Sequence, residues 1–367
     1  MTQQPDLHAH LRASYNWIER SCSPRSGGAR AYYTPLRGWG KTYPQVTGCL
    51  IPTVLRIGTT LGSRHSDALA RRFGDYLLDI QHPEGAWHGG MWPARRSTPL
   101  NHFTTAQIVQ GLCALSRHTG DSRWIDSANR AASWIARTLE GESPAYYTQI
   151  SWPLLELWSI SGDEAARDCA VRILDDVMQQ RTLLGAFRRW GFGGSDSAFT
   201  HTIGFTLRGL VESAILLDAW PRYGKPIVST LRRLADDALA ANGRLPGAYD
   251  VNWKCDRSYT CLTGNAQIAL CLLKAPDLVP ERRFVPAARA LIEEIARRQW
   301  REHPIPGLRG AIPGSYPVWG RYLTGRYPIW AAKYFSDAIV ALSTVDQGVF
   351  RLADSRAVAP NAALTPT

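Results

Sequence analysis

The sequence predicts an all-α protein, an (α/α)6 toroid built from six helix pairs. Apolar residues recur at helical spacing through about twelve segments, and six of these segments open with an aromatic-rich turn. The six turns begin at Tyr43, Asn101, Tyr147, Phe199, Tyr259 and Tyr327, roughly every 45 to 70 residues. Because one helix pair cannot bury its own apolar face, the six copies are expected to pack against one another.

Two kinds of helix alternate along the chain. The segment 261–273 is apolar nearly all round, as an inner helix would be, whereas 284–300 is amphipathic and charged, as an outer helix would be. The helices are expected at 7–20, 45–61, 66–80, 103–117, 122–139, 148–160, 163–180, 201–218, 227–241, 261–273, 284–300 and 329–343. The first and last pairs lack polar caps, which favours a closed ring in which 329–343 pairs with 7–20. We expect one toroid domain over 1–345 and a poorly ordered C-terminal tail over 346–367.

Charge and cysteine content limit the classes of partner. The 367 residues carry a formal charge of +11, mostly as scattered arginines, which is typical of solvated outer helices or of attraction to an anionic ligand. Nucleic acid is not an expected partner, because no helix carries a concentrated basic stripe. No apolar run reaches transmembrane length, no signal peptide is evident, and the seven cysteines are typical of reduced core thiols. These features predict a cytoplasmic protein, with peripheral contact to an anionic membrane left open.

Glycine-containing turns follow four of the outer helices. They are Gly85-Ala86-Trp87, Gly185-Ala186-Phe187, Gly247-Ala248-Tyr249 and Gly310-Ala311-Ile312. Glycine permits a tight or left-handed turn, and the chain direction places each turn beside the start of the next inner helix. The aromatic side chains are therefore expected to gather at one mouth of the ring.

One of these turns carries a recognisable motif. Gln81 to Trp87 matches the Q-x-x-x-G-x-W repeat, and Gln180 to Phe187 is a looser copy. In this feature the chain resembles terpenoid cyclases and related α/α-toroids. The resemblance implies a structural motif, in which the glutamine caps a helix and the tryptophan packs against the next turn.

Three further segments carry a closer likeness. Residues 38–53, 261–267 and 331–338 resemble uncharacterised prenyltransferase and squalene-oxidase repeat-like proteins that occur with bacterial polysaccharide biosynthesis genes. This resemblance implies a six-hairpin toroid and a glycan-related setting. It brings no established catalytic residues.

The motifs of the better known toroid enzymes are absent. Terpenoid cyclases use an acidic D-x-D-D motif, or D-D-x-x-D with a metal, and neither occurs in the chain. Asp250, Cys255, Asp256 and Cys261 lie close together, but their spacing fits no compact zinc motif and no histidine is nearby. We therefore expect neither a metal nor a cofactor.

The mouth supplies the residue types that saccharide binding requires. Aromatic platforms suit the apolar faces of sugars, and polar groups suit their hydroxyls; each candidate could equally be a packed or capping residue. The platform candidates are Trp39, Tyr43, Trp87, Trp92, Tyr147, Trp152, Trp190, Tyr249, Trp253, Tyr316 and Trp319. The polar candidates are Asn101, His102, Gln149, Asp196, His201, Asn265 and Gln267, with Arg326 and Lys333 for an anionic group.

Proton transfer has fewer candidates. His201 begins an inner helix and is the foremost, with Asp196 expected to orient it. Asp250 and Asp256 are the carboxylate candidates, and Tyr249 is the tyrosine candidate. Hydrolysis would use two carboxyl groups, whereas a lyase or epimerase would use a base and a cation.

These residues favour a carbohydrate-active enzyme that acts on an oligosaccharide, a polysaccharide or a lipid-linked glycan. Hydrolysis, elimination and epimerisation all remain open. The alternatives are an isoprenoid cyclase or prenyltransferase-like enzyme, whose carbocation an aromatic cavity would suit, and a non-catalytic glycan-binding toroid. Fold alone does not choose among them.

Overall fold

The computed structural model describes residues 5–95, 97–275, 279 and 281–347. Twelve α-helices occupy this part of the chain. They are α1 (Leu7–Ser21), α2 (Pro44–Leu61), α3 (His65–Asp79), α4 (His102–Thr119), α5 (Ser122–Thr138), α6 (Thr148–Ser161), α7 (Glu164–Gln179), α8 (Thr200–Leu216), α9 (Val228–Ala240), α10 (Leu262–Lys274), α11 (Phe284–Ala296) and α12 (Ile329–Asp346).

The even-numbered helices form a closed inner ring. Each contacts the next in chain order from α2 to α12, and α12 contacts α2. The odd-numbered helices pack outside them, and α1 packs against α12, so the first and last helices pair as expected. Inner helices are buried on nearly all sides, as in α10, where every residue from Leu262 to Leu273 is buried. The predicted (α/α)6 toroid is confirmed.

Glycines bring the inner helices close together. A Cβ at Gly48 of α2 would lie 2.6 Å from the Ile108 Cα of α4, and one at Gly264 of α10 would lie 2.6 Å from the backbone carbon of Thr200. Real Cβ atoms do not approach so closely, so only glycine permits these contacts. The tight ring follows from small residues at the helix contacts.

Short strands line the end at which the inner helices begin. The three sheets contain β1 (Tyr32–Thr34), β2 (Gly38–Trp39), β3 (Ala198–Phe199), β4 (Ala248–Tyr249), β5 (Cys255–Asp256), β6 (Thr260–Cys261), β7 (Ser315–Tyr316) and β8 (Tyr327–Pro328). Their orders are β2-β1-β8, β3-β4-β5 and β6-β7, and every pairing is antiparallel. The β1–β8 pair joins the two ends of the ring.

The Q-x-x-x-G-x-W motif is structural. The Gln81 side-chain amide donates to the carbonyls of Gly85, at 2.7 Å, and of Ser127 on α5, at 3.1 Å. The buried Trp87 indole donates to the Leu77 carbonyl at 2.9 Å. Both contacts tie the turn to neighbouring outer helices.

The third glycine turn, Gly247-Ala248-Tyr249, differs from the sequence prediction. Gly85, Gly185 and Gly310 have φ values of +97°, +84° and +89°, but Gly247 does not have a positive φ. Gly243, with φ of +84°, takes that role, because a Cβ there would meet the Ala290 carbonyl on α11. The sequence pattern Gly-Ala-aromatic at 247–249 therefore coincides with strand β4 instead.

Helix bounds agree with the sequence to within a few residues. The largest difference is α11, which ends at Ala296 and not near 300. Gln299 leaves the helix because its amide donates to Ser14 on α1, at 2.8 Å, and to the Gly310 carbonyl, at 3.1 Å.

One hydrophobic cluster extends from Leu11 to Leu342. The single domain over 1–345 and the tail over 346–367 stay predictions, since 348–367 lie outside the described residues.

A buried carboxylate lies at the contact between the last and first inner helices. Asp337 of α12 accepts hydrogen bonds from Thr53 of α2, at 3.1 Å, and from Arg56, at 2.5 Å. Lys333, one turn earlier in α12, also donates to Asp337 at 2.9 Å. Burial would raise the pKa of Asp337, but Lys333 and Arg56 lower it to about 2.

We expect Asp337→Asn to destabilise the fold by about 3 kcal/mol at neutral pH, because Lys333 would keep a buried, unneutralised charge. The matched control is Asp236→Asn, since Asp236 pairs with Arg283 on the surface, where an ion pair contributes about 0–1 kcal/mol. Urea denaturation monitored by circular dichroism measures both.

The pH dependence follows from the lowered pKa of Asp337. The pairing of ionised Asp337 contributes fully to the free energy of unfolding above the ordinary carboxyl pKa of about 4. This contribution is lost as the pH falls towards 2. The difference in free energy of unfolding between the wild type and Asp337→Asn should therefore become smaller below about pH 4. A small difference at neutral pH, or one that stays constant on acidification, would contradict this description of the contact.

Candidate active site

One inner helix starts deeper in the ring than its neighbour. Thr148, the first residue of α6, packs against Gly209, the tenth residue of α8, and its hydroxyl donates to the Thr206 carbonyl at 3.0 Å. At 1.5 Å per residue, α6 begins about two turns below the start of α8. The mouth is therefore recessed on this side, and a short 3-10 turn at Ala145–Tyr147 leads into α6.

Aromatic side chains pack against one another beside the start of α6, and we call them the funnel. The funnel residues are Phe103, Tyr146, Tyr147, Phe192, His201, Phe205, Tyr322 and Tyr334. Phe192 is 49% exposed at the rim, whereas Phe205, Tyr322 and Tyr334 are buried at the base. Tyr43 and Trp330 extend the base, since Trp330 packs on Tyr43 and donates to the Tyr322 hydroxyl at 2.9 Å.

His201 lies at the base of the funnel. Strand β3 leads into α8, and His201 is the second residue of that helix. Its ring centroid is 4.3 Å from that of Phe205, 5.0 Å from that of Tyr322 and 6.2 Å from that of Tyr334. The residue is only 4% exposed, because these rings cover it.

Gln267 of α10 fixes the tautomer of His201. The Gln267 amide nitrogen lies 2.7 Å from His201 Nδ1 and also faces the carbonyls of His201 and Thr263, at 3.3 and 3.4 Å. Because carbonyls accept only, the amide nitrogen must face them, and Nδ1 must accept as well. The imidazole proton is thereby assigned to Nε2. Asp196 does not take the orienting role expected of it; it accepts from the Arg189 backbone N–H at 2.7 Å.

Burial keeps His201 uncharged. It lowers the pKa of His201 to about 3, far below the ordinary value for histidine. At neutral pH the base of the funnel therefore presents a neutral imidazole with Nε2–H as a hydrogen-bond donor. Burial also raises the pKa of Tyr322 and of Tyr334, so both hydroxyls stay protonated.

Charged residues fill the axis below the funnel, and we call them the charged floor. They are Arg56, Arg208, Glu212, Lys274, Lys333 and Asp337. Arg208 donates to Glu212 at 2.5 Å, Lys274 lies 2.6 Å from Glu212, and the Arg208 guanidinium lies 4.9 Å from the Trp152 ring centroid. Burial would raise the pKa of Glu212, but Arg208 and Lys274 lower it to about 2. Both carboxylates of the floor are thus ionised and held by cations.

The structure brings together a minority of the candidate site residues. His201 and Tyr147 belong to the funnel, Tyr43 lies at its base, and Trp152 and Lys333 lie at the charged floor. Lys333 is not free to hold an anion alone, because Asp337 accepts its hydrogen bond.

Several candidates face the outer ring instead. The expected meeting of His201, Tyr249 and Asn265 does not occur, because Tyr249 donates to Asp237 of α9 at 3.0 Å and Asn265 donates to the Gly243 carbonyl at 2.7 Å. Trp87 is also held in the outer layer. The indoles of Trp190 and Trp253 donate to the Asp196 and Leu184 carbonyls.

Three polar candidates at helix starts support the fold. Asn101 caps α4 by accepting from the Thr104 N–H at 2.8 Å. His102 stacks on Trp134 of α5 with centroids 4.5 Å apart. Gln149 donates to the Phe205 carbonyl at 3.3 Å and so links α6 to α8.

The two carboxylate candidates lie in the β4–β5 hairpin and the turn after it. Asp250 closes a turn by accepting from the N–H groups of Asn252, at 2.8 Å, and Lys254, at 2.9 Å. Asp256 accepts from Ser258 and pairs with Arg321 at 3.4 Å. Hydrogen bonds from Ser258 are the main reason that the pKa of Asp256 is lowered. Asp256 is therefore not a protonated acid at neutral pH.

The remaining candidates lie towards the rim or the outer surface. Trp39 packs against Trp17, Trp92 bridges to Thr42, and Trp319 is 74% exposed. Arg326 lies over Tyr32 at 4.8 Å. The Arg298 guanidinium carbon lies 3.6 Å from the centroid of the Tyr316 ring.

Sequence reasoning missed most of the funnel and of the charged floor. Phe205, Arg208 and Glu212 follow His201 at four, seven and eleven residues, and Tyr334 and Asp337 follow Trp330 in the same way. This i, i+4, i+7 spacing places them on one helix face. The signal that could have identified these residues is the occurrence of polar and aromatic side chains at those positions of otherwise apolar helices.

Within the described residues, no group of three or more His, Cys, Asp or Glu is arranged to hold a metal ion. None of the described helices combines the length and apolar character that crossing a membrane requires.

Solved structures share this fold. An unsaturated glucuronyl hydrolase specific for heparin superimposes with a TM-score of 0.73 at 13% identity, covering 93% of this chain and 98% of that one. The cellobiose 2-epimerase of Bacillus thermoamylovorans B4167 gives 0.71 at 11% identity, covering 93% and 99%. A GH76 α-mannanase of Bacteroides thetaiotaomicron gives 0.65 at 15% identity, covering 94% and 97%. No family model matches the chain, and no curated protein does either. At these identities the likeness establishes the fold.

We expect His201 to stay neutral with its proton on Nε2 from pH 8 to pH 5, because burial lowers its pKa to about 3. Nitrogen-15 NMR of imidazole-labelled protein measures the charge and the tautomer, and His201→Gln identifies the signal. A titration of that signal between pH 5 and pH 8 would show that the base of the funnel is hydrated.

Proposed function

We propose that the protein is a carbohydrate-active enzyme whose substrate enters the aromatic funnel and receives a hydrogen bond from His201 Nε2. The observation that carries the proposal is a neutral imidazole, fixed by Gln267, that lies among aromatic rings at the mouth end of the inner helices. Aromatic faces pack against the apolar faces of sugars, and a buried donor would orient a sugar oxygen. The solved structures that share the fold are named as glycan hydrolases and epimerases, which supports this choice.

The charge states favour proton abstraction next to a carbonyl over hydrolysis. Hydrolysis by two carboxyl groups needs one of them protonated, with a raised pKa. The described carboxylates of the charged floor, Glu212 and Asp337, both have lowered pKa values and are held by cations. A neutral imidazole, by contrast, can polarise a carbonyl or carboxylate oxygen and so acidify the adjacent C–H, whose proton a water molecule admitted with the substrate would accept. We therefore assign His201 the role of electrophile in an epimerase or a lyase.

An anionic substrate suits this site best. The charged floor contains four cations and two carboxylates, a net charge of +2 below the funnel. The inner helices also begin at the mouth, and helix N-termini favour negative charge. We propose a uronate-containing glycan, whose carboxylate would accept the hydrogen bond from His201.

The chemical setting completes the proposal. We propose a cytoplasmic role in polysaccharide biosynthesis, in line with the repeat-like segments, on a scaffold related to terpenoid cyclases and prenyltransferases. Peripheral contact with an anionic membrane would suit a lipid-linked glycan and the formal charge of +11.

A non-catalytic glycan-binding toroid is the second candidate, and one observation favours it. The Gln267 hydrogen bond occupies Nδ1 and leaves a proton on Nε2, so His201 cannot serve as the base without reversal of the Gln267 amide. A protein that only binds needs a donor and no base.

Incubation with acidic and neutral oligosaccharides in D2O distinguishes these functions. We expect an acidic glycan to acquire deuterium at the carbon next to its carbonyl, or to yield an unsaturated product, by mass spectrometry and NMR. His201→Phe should lower the rate about 100-fold because a single hydrogen-bond donor to the transition state is lost. His201→Asn, which keeps an N–H donor, should retain more activity.

The control is His118→Phe, because His118 lies on the surface beside Asp67. Products that have gained water would identify a hydrolase and overturn the assignment of His201. Tight binding without exchange or product would favour the binding toroid.

A further inference from the structure

Six connections join each outer helix to the next inner helix, and all six lie at the mouth end of the ring. Two of them, the segments 22–43 and 297–328, lead into α2 and α12, which contact each other. Strand pairing joins these two connections, since Tyr33 of β1 pairs with Tyr327 of β8. We call the two connections the basic rim, because their charge differs from that of the rest of the mouth.

Most of the formal charge of the chain lies in the basic rim. Its two connections contain ten lysines and arginines and one carboxylate, Glu302, a net charge of +9 against +11 for the whole chain. The other four connections at the mouth contain eight cations and six carboxylates. Such an uneven distribution attracts an anionic partner to one sector of the mouth and repels a second copy of the same chain.

Carboxylates from neighbouring elements neutralise part of this charge. Glu294 of α11 pairs with Arg297, at 3.1 Å, and with Arg298, at 3.0 Å. Asp256 of β5 pairs with Arg321 at 3.4 Å. Counting these two carboxylates lowers the net charge of the basic rim from +9 to +7.

Three cations of the basic rim are exposed without a carboxylate partner. They are Arg37, Lys41 and Arg326, and no carboxylate in the described part of the chain lies within ion-pair distance of them. The Arg326 guanidinium lies 4.8 Å from the centroid of the Tyr32 ring, a contact that leaves its charge unneutralised. These three charges are available to an anionic surface.

Exposed apolar side chains are concentrated in the same sector. Among the described residues, nine large hydrophobic side chains are exposed, and five of them belong to the basic rim. Leu36 is 97% exposed and Trp319 is 74% exposed, and the other three are Trp300, Ile305 and Tyr316. Single exposed apolar residues are ordinary, but five within two joined connections indicate an interaction surface.

Leu36 and Trp319 lie in loops that leave the same end of a strand pair. Because β1 and β8 are antiparallel, the end of β1 lies beside the start of β8. The hairpin with Leu36 follows β1, and the loop with Trp319 precedes β8. Both side chains can therefore touch one surface at the same time.

Local hydrogen bonds fix the two loop tips. The Thr34 hydroxyl accepts from the Arg37 N–H at 3.2 Å, across the tip of the hairpin. The Pro317 carbonyl accepts from the Gly320 N–H at 2.8 Å, which places Trp319 in a tight turn. The exposure of both apolar side chains is therefore built into the turns.

We propose that the basic rim docks the mouth of the toroid on an anionic lipid surface. In the docked state Leu36 and Trp319 enter the headgroup layer, and Arg37, Lys41 and Arg326 lie near the lipid phosphates. An acidic polysaccharide fits this surface less well. Sugar rings pack on aromatic faces, and Leu36, the most exposed apolar residue of the basic rim, has none.

Docking brings the funnel to the lipid surface. Tyr322 of the funnel and Tyr43 at its base both belong to the basic rim. A docked toroid therefore presents the funnel to the glycan of a lipid-linked substrate. Docking itself stands on charge and exposure, and only this choice of substrate rests on the proposed function.

Sedimentation with lipid vesicles tests the docking. We expect the protein to bind vesicles of phosphatidylcholine and phosphatidylglycerol in equal parts, not vesicles of phosphatidylcholine alone, and to dissociate as salt is raised. Arg37→Gln and Lys41→Gln should each weaken binding about fivefold, the loss expected for one cation at an anionic surface. The double variant Leu36→Ala/Trp319→Ala should weaken binding about tenfold, because less apolar surface is buried.

Two matched controls lie outside the basic rim. Arg71→Gln removes an exposed arginine of α3 that has no carboxylate partner in the described ranges, and Leu183→Ala removes a fully exposed leucine. Both should bind vesicles as the wild type does. Equal weakening by either control, or equal binding to vesicles without anionic lipid, would refute the docking. Binding of heparin without binding of anionic vesicles would replace the lipid by an acidic polysaccharide.

His201→Phe separates the docking from the proposed function. This variant should bind anionic vesicles as the wild type does while it loses deuterium exchange. Vesicle binding by a wild type that processes no glycan would leave the docking standing and remove the proposed function. Processing of a soluble glycan without vesicle binding would do the reverse.

Discussion

Closure of the inner ring is the constraint on which the rest of the structure depends. Six helices run in the same direction, and the last must meet the first. Asp337 lies at that contact, bound to Thr53 and Arg56 of α2 and to Lys333 of its own helix. Because the helices are parallel, their N-termini gather at one end of the axis and their C-termini at the other. The net positive charge of the charged floor opposes the negative ends of those helices.

The separation of charge along the axis leaves a funnel that is aromatic and uncharged. Charged side chains occupy the lower axis, where each pairs with an opposite charge through hydrogen bonds. The recess over α6 exposes Tyr146, Tyr147 and Phe192, and beneath them His201 is kept neutral by burial and oriented by Gln267. A ligand that carries its own negative charge would find hydrogen-bond donors here, and no carboxylate of the charged floor would be free to repel it.

The architecture could be read from the sequence because it depends on periodicity. Alternation of apolar and amphipathic segments predicted the helices and their two layers, and the aromatic turns predicted where the inner helices begin. The site was harder to predict from the sequence, for a physical reason. Trp190, Trp253 and Tyr249 have polar atoms that find partners in the outer layer, so an aromatic residue in a turn did not mean one at the mouth.

The depth of α6 arises from tertiary packing of Thr148 on Gly209, which no local pattern encodes. The axis-facing positions were in principle readable, since Arg208 and Glu212 interrupt an otherwise apolar helix. A crystal structure of the protein with a bound acidic oligosaccharide tests the account most directly. We predict a sugar ring packed between Phe103 and Tyr147, with an oxygen within hydrogen-bond distance of His201 Nε2. A saccharide bound at the opposite end of the ring, with the funnel closed over His201, would contradict it.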